Sequence, residues 1–91
     1  MDTIEKYKTK NLVKEDLLKQ REIVIFNDDY NTFKHVIECL VKYCKHESLQ
    51  AQQCAFIIHH NGKCSVKTGT YEKLLPIVSV LLEKGLSAEI L

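Results

Sequence analysis

Ile23-Val24-Ile25-Phe26-Asn27-Asp28-Asp29-Tyr30 is the stretch that decides how this chain of 91 residues reads. Three β-branched residues and an aromatic one run together, then stop at residues that favour turns. That pattern predicts a buried strand with a hard end. Just beyond it, Phe33, Val36, Ile37, Leu40, Val41 and Cys44 fall at offsets 0, 3, 4, 7, 8 and 11. Such spacing lays an apolar stripe along one helix face. Asn31 or Thr32 is placed to cap its first turn.

The same reading extends along the rest of the chain. Ser48 offers a cap for a second helix, marked by Leu49, Ala51, Ala55 and Ile58 and stopped at Asn61-Gly62. Cys64, Val66 and Thr68 alternate with Ser65, Lys67 and Gly69, which is strand periodicity. Thr70 caps a third helix carrying Leu74, Leu75, Val78, Leu81 and Leu82, and Gly85 ends it. Pro76 inside that helix predicts a kink, or a regular part that begins near Leu75. Residues 86–91 read as a short last strand. The order β-α-α-β-α-β predicts an α+β fold, a single small domain with a three-stranded antiparallel sheet packed against three helices.

Composition bounds the function. The chain is 45% apolar and 27% charged, as expected of one globular domain. With 13 basic and 12 acidic side chains, the net charge of +1 argues against a phosphate-driven nucleic-acid binder. No apolar run approaches the ~20 residues of a membrane span, and residues 1–6 lack the apolar stretch of a signal peptide. The expectation is a cytoplasmic protein. Residues 1–21 carry six basic and four acidic side chains and no apolar stripe, so they read as a flexible N-terminal extension to a core at 22–91. The four cysteines, at successive offsets of 5, 10 and 10, form no Cys-x-x-Cys pair. They read as reduced, buried, small hydrophobes.

Two features can carry chemistry: the acidic turn at Asn27-Asp28-Asp29 and the His59-His60 pair. Paired Asp residues in a turn make a negative site, but they also serve as plain caps, and both readings stand. Adjacent histidines point about 100° apart on a helix, so only one faces a given site. These residues are acceptable metal-ligand types, but no His-x-x-x-His or His-Glu-x-x-His spacing joins them. No nucleophile elbow or Gly-rich phosphate loop is present. Neither a metal nor a cofactor is expected. Residues alone lead to a small binding module.

The strand with its Asn27-Asp28-Asp29-Tyr30 turn, the amphipathic helix, and His59-His60-Asn61-Gly62-Lys63, 32 residues after Asn27, together resemble the ClpS family. ClpS proteins are adaptors of the ATP-dependent Clp protease. The resemblance covers about residues 22–91. It implies an adaptor, not an enzyme, that binds N-degrons: proteins whose first residue is Leu, Phe, Tyr or Trp. It implies delivery to a Clp AAA+ unfoldase, ClpA-like or ClpC-like, by a monomer whose N-terminal extension enters the unfoldase pore. By the same resemblance Asn27, Asp29 and His59 contact the substrate α-amino group, and Asp28 adds to the negative field there. Ile25, Phe26, Asn31, Phe33, Val36, Ala55 and Ile58 then form the side-chain pocket, and Glu72 docks the unfoldase.

Some positions depart from the family pattern. Asn31-Thr32 stand where Thr-Pro is usual, Phe33 and Ala55 where Met is usual, and Ile77 where a base is usual. Phe33 implies a stiffer gate and Ala55 a deeper pocket floor. Two other readings accompany this one. The first is a docking domain like that of a ribosomal stalk protein, without an amine site. The second is a small metal-dependent hydrolase.

Overall fold

A computed structural model describes residues 18–91. Strand β1 (Gln20–Phe26) is central, flanked by β2 (Lys63–Thr70) and β3 (Ser87–Ile90), and both pairings are antiparallel. Helices α1 (Phe33–Cys44) and α2 (Ser48–Asn61) lie between β1 and β2, and α3 (Tyr71–Glu83) lies between β2 and β3. This is the β-α-α-β-α-β order expected from periodicity. β1 starts at Gln20, so residues 20 and 21 belong to the sheet. The extension expected at 1–21 otherwise falls almost entirely outside the described residues.

Strand alternation assigns the faces of β1. Ile23 and Ile25 are fully buried and join the helix-side core, whereas Val24 and Phe26 fall on the opposite face. Val36, Leu40 and Cys44 of α1, Ala51, Ala55 and Ile58 of α2, and Leu74, Val78 and Leu81 of α3 complete that core. Each set repeats at three or four residues, the spacing of one helix face. Leu49, one of the residues that marked α2 in the sequence, is 65% exposed. It precedes Ala51 by two residues, which places it on the far side of the helix.

The helix ends combine expected caps and corrections. Thr32 caps α1, its Oγ1 accepting the His35 N–H at 3.1 Å. The α2 cap is Glu47, not Ser48, and no side chain bonds there. Ser48 Oγ accepts from Gln52 Nε2 at 3.1 Å instead. Thr70 holds the cap position of α3 but makes no cap bond. That helix runs unbroken from Tyr71 through Pro76, so its regular part does not begin near Leu75. Pro76 and Glu72 are both exposed, which leaves the Glu72 carbonyl, deprived of its donor, open to water. At the other end Gly85 adopts φ +87°, its N–H bonds Leu82 O, and the Leu86 N–H bonds Leu81 O. This double closure sends the chain back along the sheet as β3.

The β1–β2 register slips between Ile23 and Val24, which pair with Lys67 and Ser65. Val66 is therefore the extra residue of a bulge, and its carbonyl accepts the Nε2–H of buried His46 at 2.6 Å. Beyond the bulge the expected alternation breaks, and Thr68 is exposed.

Candidate functional site

The site lies at the end of the domain where β1 stops. The Asn27 N–H donates to Gly62 O at 2.8 Å, which ties the strand end to the cap of α2. Gly62 itself sits at φ +93°, and its N–H bonds Ile58 O, so the helix ends one turn after the residues that face the site. His59 is in that last turn. Asn27, Asn31, Phe33, Val36, Ala55, Ile58 and His59 line one cavity of about 30 Å³. These residues come from the β1–α1 turn, the start of α1 and the end of α2.

The two aspartates divide their roles. Asp28 Oδ1 accepts the N–H groups of Tyr30 (2.9 Å) and Asn31 (2.8 Å). Its Oδ2 accepts Asn31 Nδ2 at 2.7 Å and the Ser87 hydroxyl at 3.2 Å. Burial works to raise its carboxyl pKa, but these bonds outweigh burial and hold it below the ordinary carboxylate value. Asn31 Nδ2 also donates to Gly85 O at 2.9 Å. Asp28 is thus the brace that locks the turn to β3 and the end of α3. Asp29 is exposed and lies outside the cavity lining.

The structure therefore gathers seven of the residues singled out from sequence and leaves five outside the cavity lining. Phe26 falls on the sheet face opposite the helices and is not among the cavity-lining residues. Ile25 is on the correct face but is 1% exposed, as part of the core beneath. Asp28 is committed to the turn. Asp29, two residues on from Asn27, is exposed and does not line the cavity. Glu72, apart from all of these, is exposed in the first turn of α3. The floor at Ala55 is not deep in this state: about 30 Å³ holds one or two waters.

Phe33 closes one side. Its ring meets the His59 imidazole edge-on, 5.7 Å between centroids. His59 in turn meets His60 at 5.1 Å, and His60 lies against Phe56 at 4.0 Å. Both histidines are exposed. Residues that sequence reasoning missed lie on the far side of Phe33. There Phe33, Ile37, Leu49, Gln52, Gln53, Phe56 and Ile57 line an open groove of about 670 Å³ between α1 and α2. The signal was present in the surplus of apolar residues on both helices, more than one buried face requires.

Comparison with known proteins decides the family. The family model described as ATP-dependent Clp protease adaptor protein ClpS matches residues 18–89. The chain belongs to the ClpS family. A ClpS adapter protein of Thermosynechococcus vestitus is 34% identical over 67 residues, covering 72% of this chain and 71% of its own. One from a Nostoc species is 38% identical over 52 residues, 56% of this chain and 54% of its own. The fold is similar to that of Agrobacterium tumefaciens ClpS2, solved bound to L-phenylalaninamide. The TM-score is 0.70 at 18% identity, covering 81% of this chain and 96% of that one. ClpS proteins are adaptors of the Clp protease, not proteases. Among the described residues, no helix is long and apolar enough to cross a membrane. Nor does any group of three or more His, Cys, Asp or Glu in that region assemble to hold a metal.

Proposed function

We propose that this ClpS-family adaptor captures proteins by a free α-amino group joined to a bulky apolar first side chain, Leu, Phe, Tyr or Trp. One observation carries the reading. A single cavity has the Asn27 amide and the His59 imidazole together with the apolar Phe33, Val36, Ala55 and Ile58. An α-amino group has a pKa of about 7.7–8.0 and is mostly protonated at neutral pH, with three N–H donors. An amide oxygen, a neutral imidazole nitrogen and the nearby Asp29 carboxylate supply three acceptors. The bond to the ionised partner is the strong one. The Agrobacterium tumefaciens neighbour's ligand, a free amine beside an aromatic side chain, supports this reading.

Admission of a large side chain requires a wall to move. Val36, Ala55 and Ile58 are buried, whereas Phe33 is 43% exposed. Phe33 is the wall that swings, since exposed side chains change rotamer within nanoseconds. The adaptor then passes its cargo, as a cytoplasmic monomer, to a ClpA-like or ClpC-like unfoldase, with Glu72 on α3 as a docking contact.

The test is a binding panel of peptides that differ only in their first residue. Leu, Phe, Tyr and Trp peptides are expected to bind, and Val, Ile, Gly and Ser peptides to bind at least about tenfold more weakly, the discrimination an apolar pocket gives for a change of a carbon or more. A flat response across the panel overturns the reading.

A further inference from the structure

We infer that the groove between α1 and α2 seats the residues that follow the first residue of the substrate, and that it selects apolar side chains at about positions 3–5. The inference rests on the N-degron reading above. Its ground is the continuity of two cavities. Phe33 lines both the small cavity and the groove, so it is the wall they share. The ring series Phe33, His59, His60, Phe56 runs from the amine end of the site onto the groove without a gap.

Length and chemistry agree with this occupant. From His59 back to Leu49 the helix spans ten residues, about 15 Å at 1.5 Å per residue. An extended peptide covers that distance in four to five residues at about 3.3 Å each. The lining holds no charged side chain. Leu49 and Phe56 are 65% and 57% exposed, and Ile57 and Phe33 are also open. Apolar surface gathered in this way marks a binding surface. Gln52 and Gln53 add amide groups suited to the backbone of an extended chain.

The experiment titrates the full chain with peptides that share a first Phe. Positions 3–5 carry either Leu, Val and Ile or the neutral residues Ser, Asn and Thr, and each peptide is made with a free and an acetylated N-terminus. With a free amine, the apolar tail is expected to bind about tenfold more tightly than the polar one, as burial of two or three partly covered side chains gives. In Leu49→Gln combined with Phe56→Gln, both exposed positions, that advantage is expected to vanish. Affinity for the polar-tailed peptide stays unchanged. Equal affinity for both tails, or an advantage that survives the double substitution, overturns the inference and leaves the amine reading standing. Acetylated peptides that bind as well as free ones overturn the amine reading instead. If sedimentation shows a dimer that the apolar-tailed peptide does not dissociate, the groove is a contact between copies and the inference fails.

Discussion

Phe33 and His59 meet edge to face, 5.7 Å between ring centroids and 66° between planes. One begins α1 and the other ends α2, so their contact bridges the two helices at the mouth of the small cavity. A residue on a helix end can turn without disturbing the core below.

Phe33→Ala removes the exposed wall. Val and Ile branch at Cβ and are stiff at χ1, so they collide with a bulky group beside the amine. The variant is expected to admit Val- and Ile-first peptides about tenfold better while weakening Leu and Phe peptides, within the range for pocket changes of a few carbons. Titration of the first-residue panel on both proteins measures it. Unchanged rejection of Val and Ile makes Phe33 packing, not a gate.

Asp28 supplies a pH signature. Its carboxyl pKa is lowered in the fold, so its contribution is present above the unfolded value of about 3.9. That contribution is lost as pH falls through the folded value. Asp28→Asn is expected to cost about 1–2 kcal/mol at neutral pH, as loss of a capping side chain does. Denaturant unfolding of both proteins between pH 7 and pH 2 is expected to show that gap shrinking with acid. A gap that is constant or widens in acid contradicts the brace.

The thiols give a chemical test. Burial pushes Cys44 up to about 11; burial and then the neighbouring Cys54 thiol push Cys64 to about 11 as well. Two units above the ordinary value of 9.0 leave roughly a hundredfold less thiolate at neutral pH, and thiolate is the reactive form. Alkylation with iodoacetamide at pH 7.5, followed by mass spectrometry, is expected to label both far more slowly than a free thiol. Fast labelling of Cys64 in the native protein contradicts this environment.

Removal of residues 1–17 tests the proposed separation of capture from delivery. β1 begins at Gln20 and the cavity is lined by residues between Asn27 and His59, so peptide affinity is expected to change by less than about twofold on that removal. Degradation of an N-degron substrate by the unfoldase and protease is expected to fall sharply. A truncated chain that delivers at full rate contradicts the role of the extension.

Much of the fold was legible from the sequence, because apolar spacing placed the helices and the β-branched run with its turn residues placed the first strand. What escaped it has physical causes. Asp28 and Asp29 are the same residue type side by side, and only their distance from Ser87 and Asn31 in the fold tells brace from exposed carboxylate. Phe26 was assigned to the pocket by the family resemblance, although strand alternation puts it on the face opposite Ile25. The stripe on α1 was legible, but Phe33 and Ile37, which line the groove, share it with buried Val36, Leu40 and Cys44. No sequence rule said which of them would line the groove. His46 carried no signal at all, since its partner is a carbonyl released by the bulge at Val66.

The most direct measurement compares a Leu-first peptide with its N-acetylated twin on the wild type, Asp29→Asn and His59→Ala. Acetylation removes the positive charge and two of the three amine donors. It is expected to abolish binding to the wild type. Each substitution is expected to weaken the free peptide by about 1.5–3 kcal/mol, the cost of losing a hydrogen bond to a charged group. Equal affinity for the acetylated and free peptides, with no loss in either variant, contradicts an amine-reading site at this end of the fold.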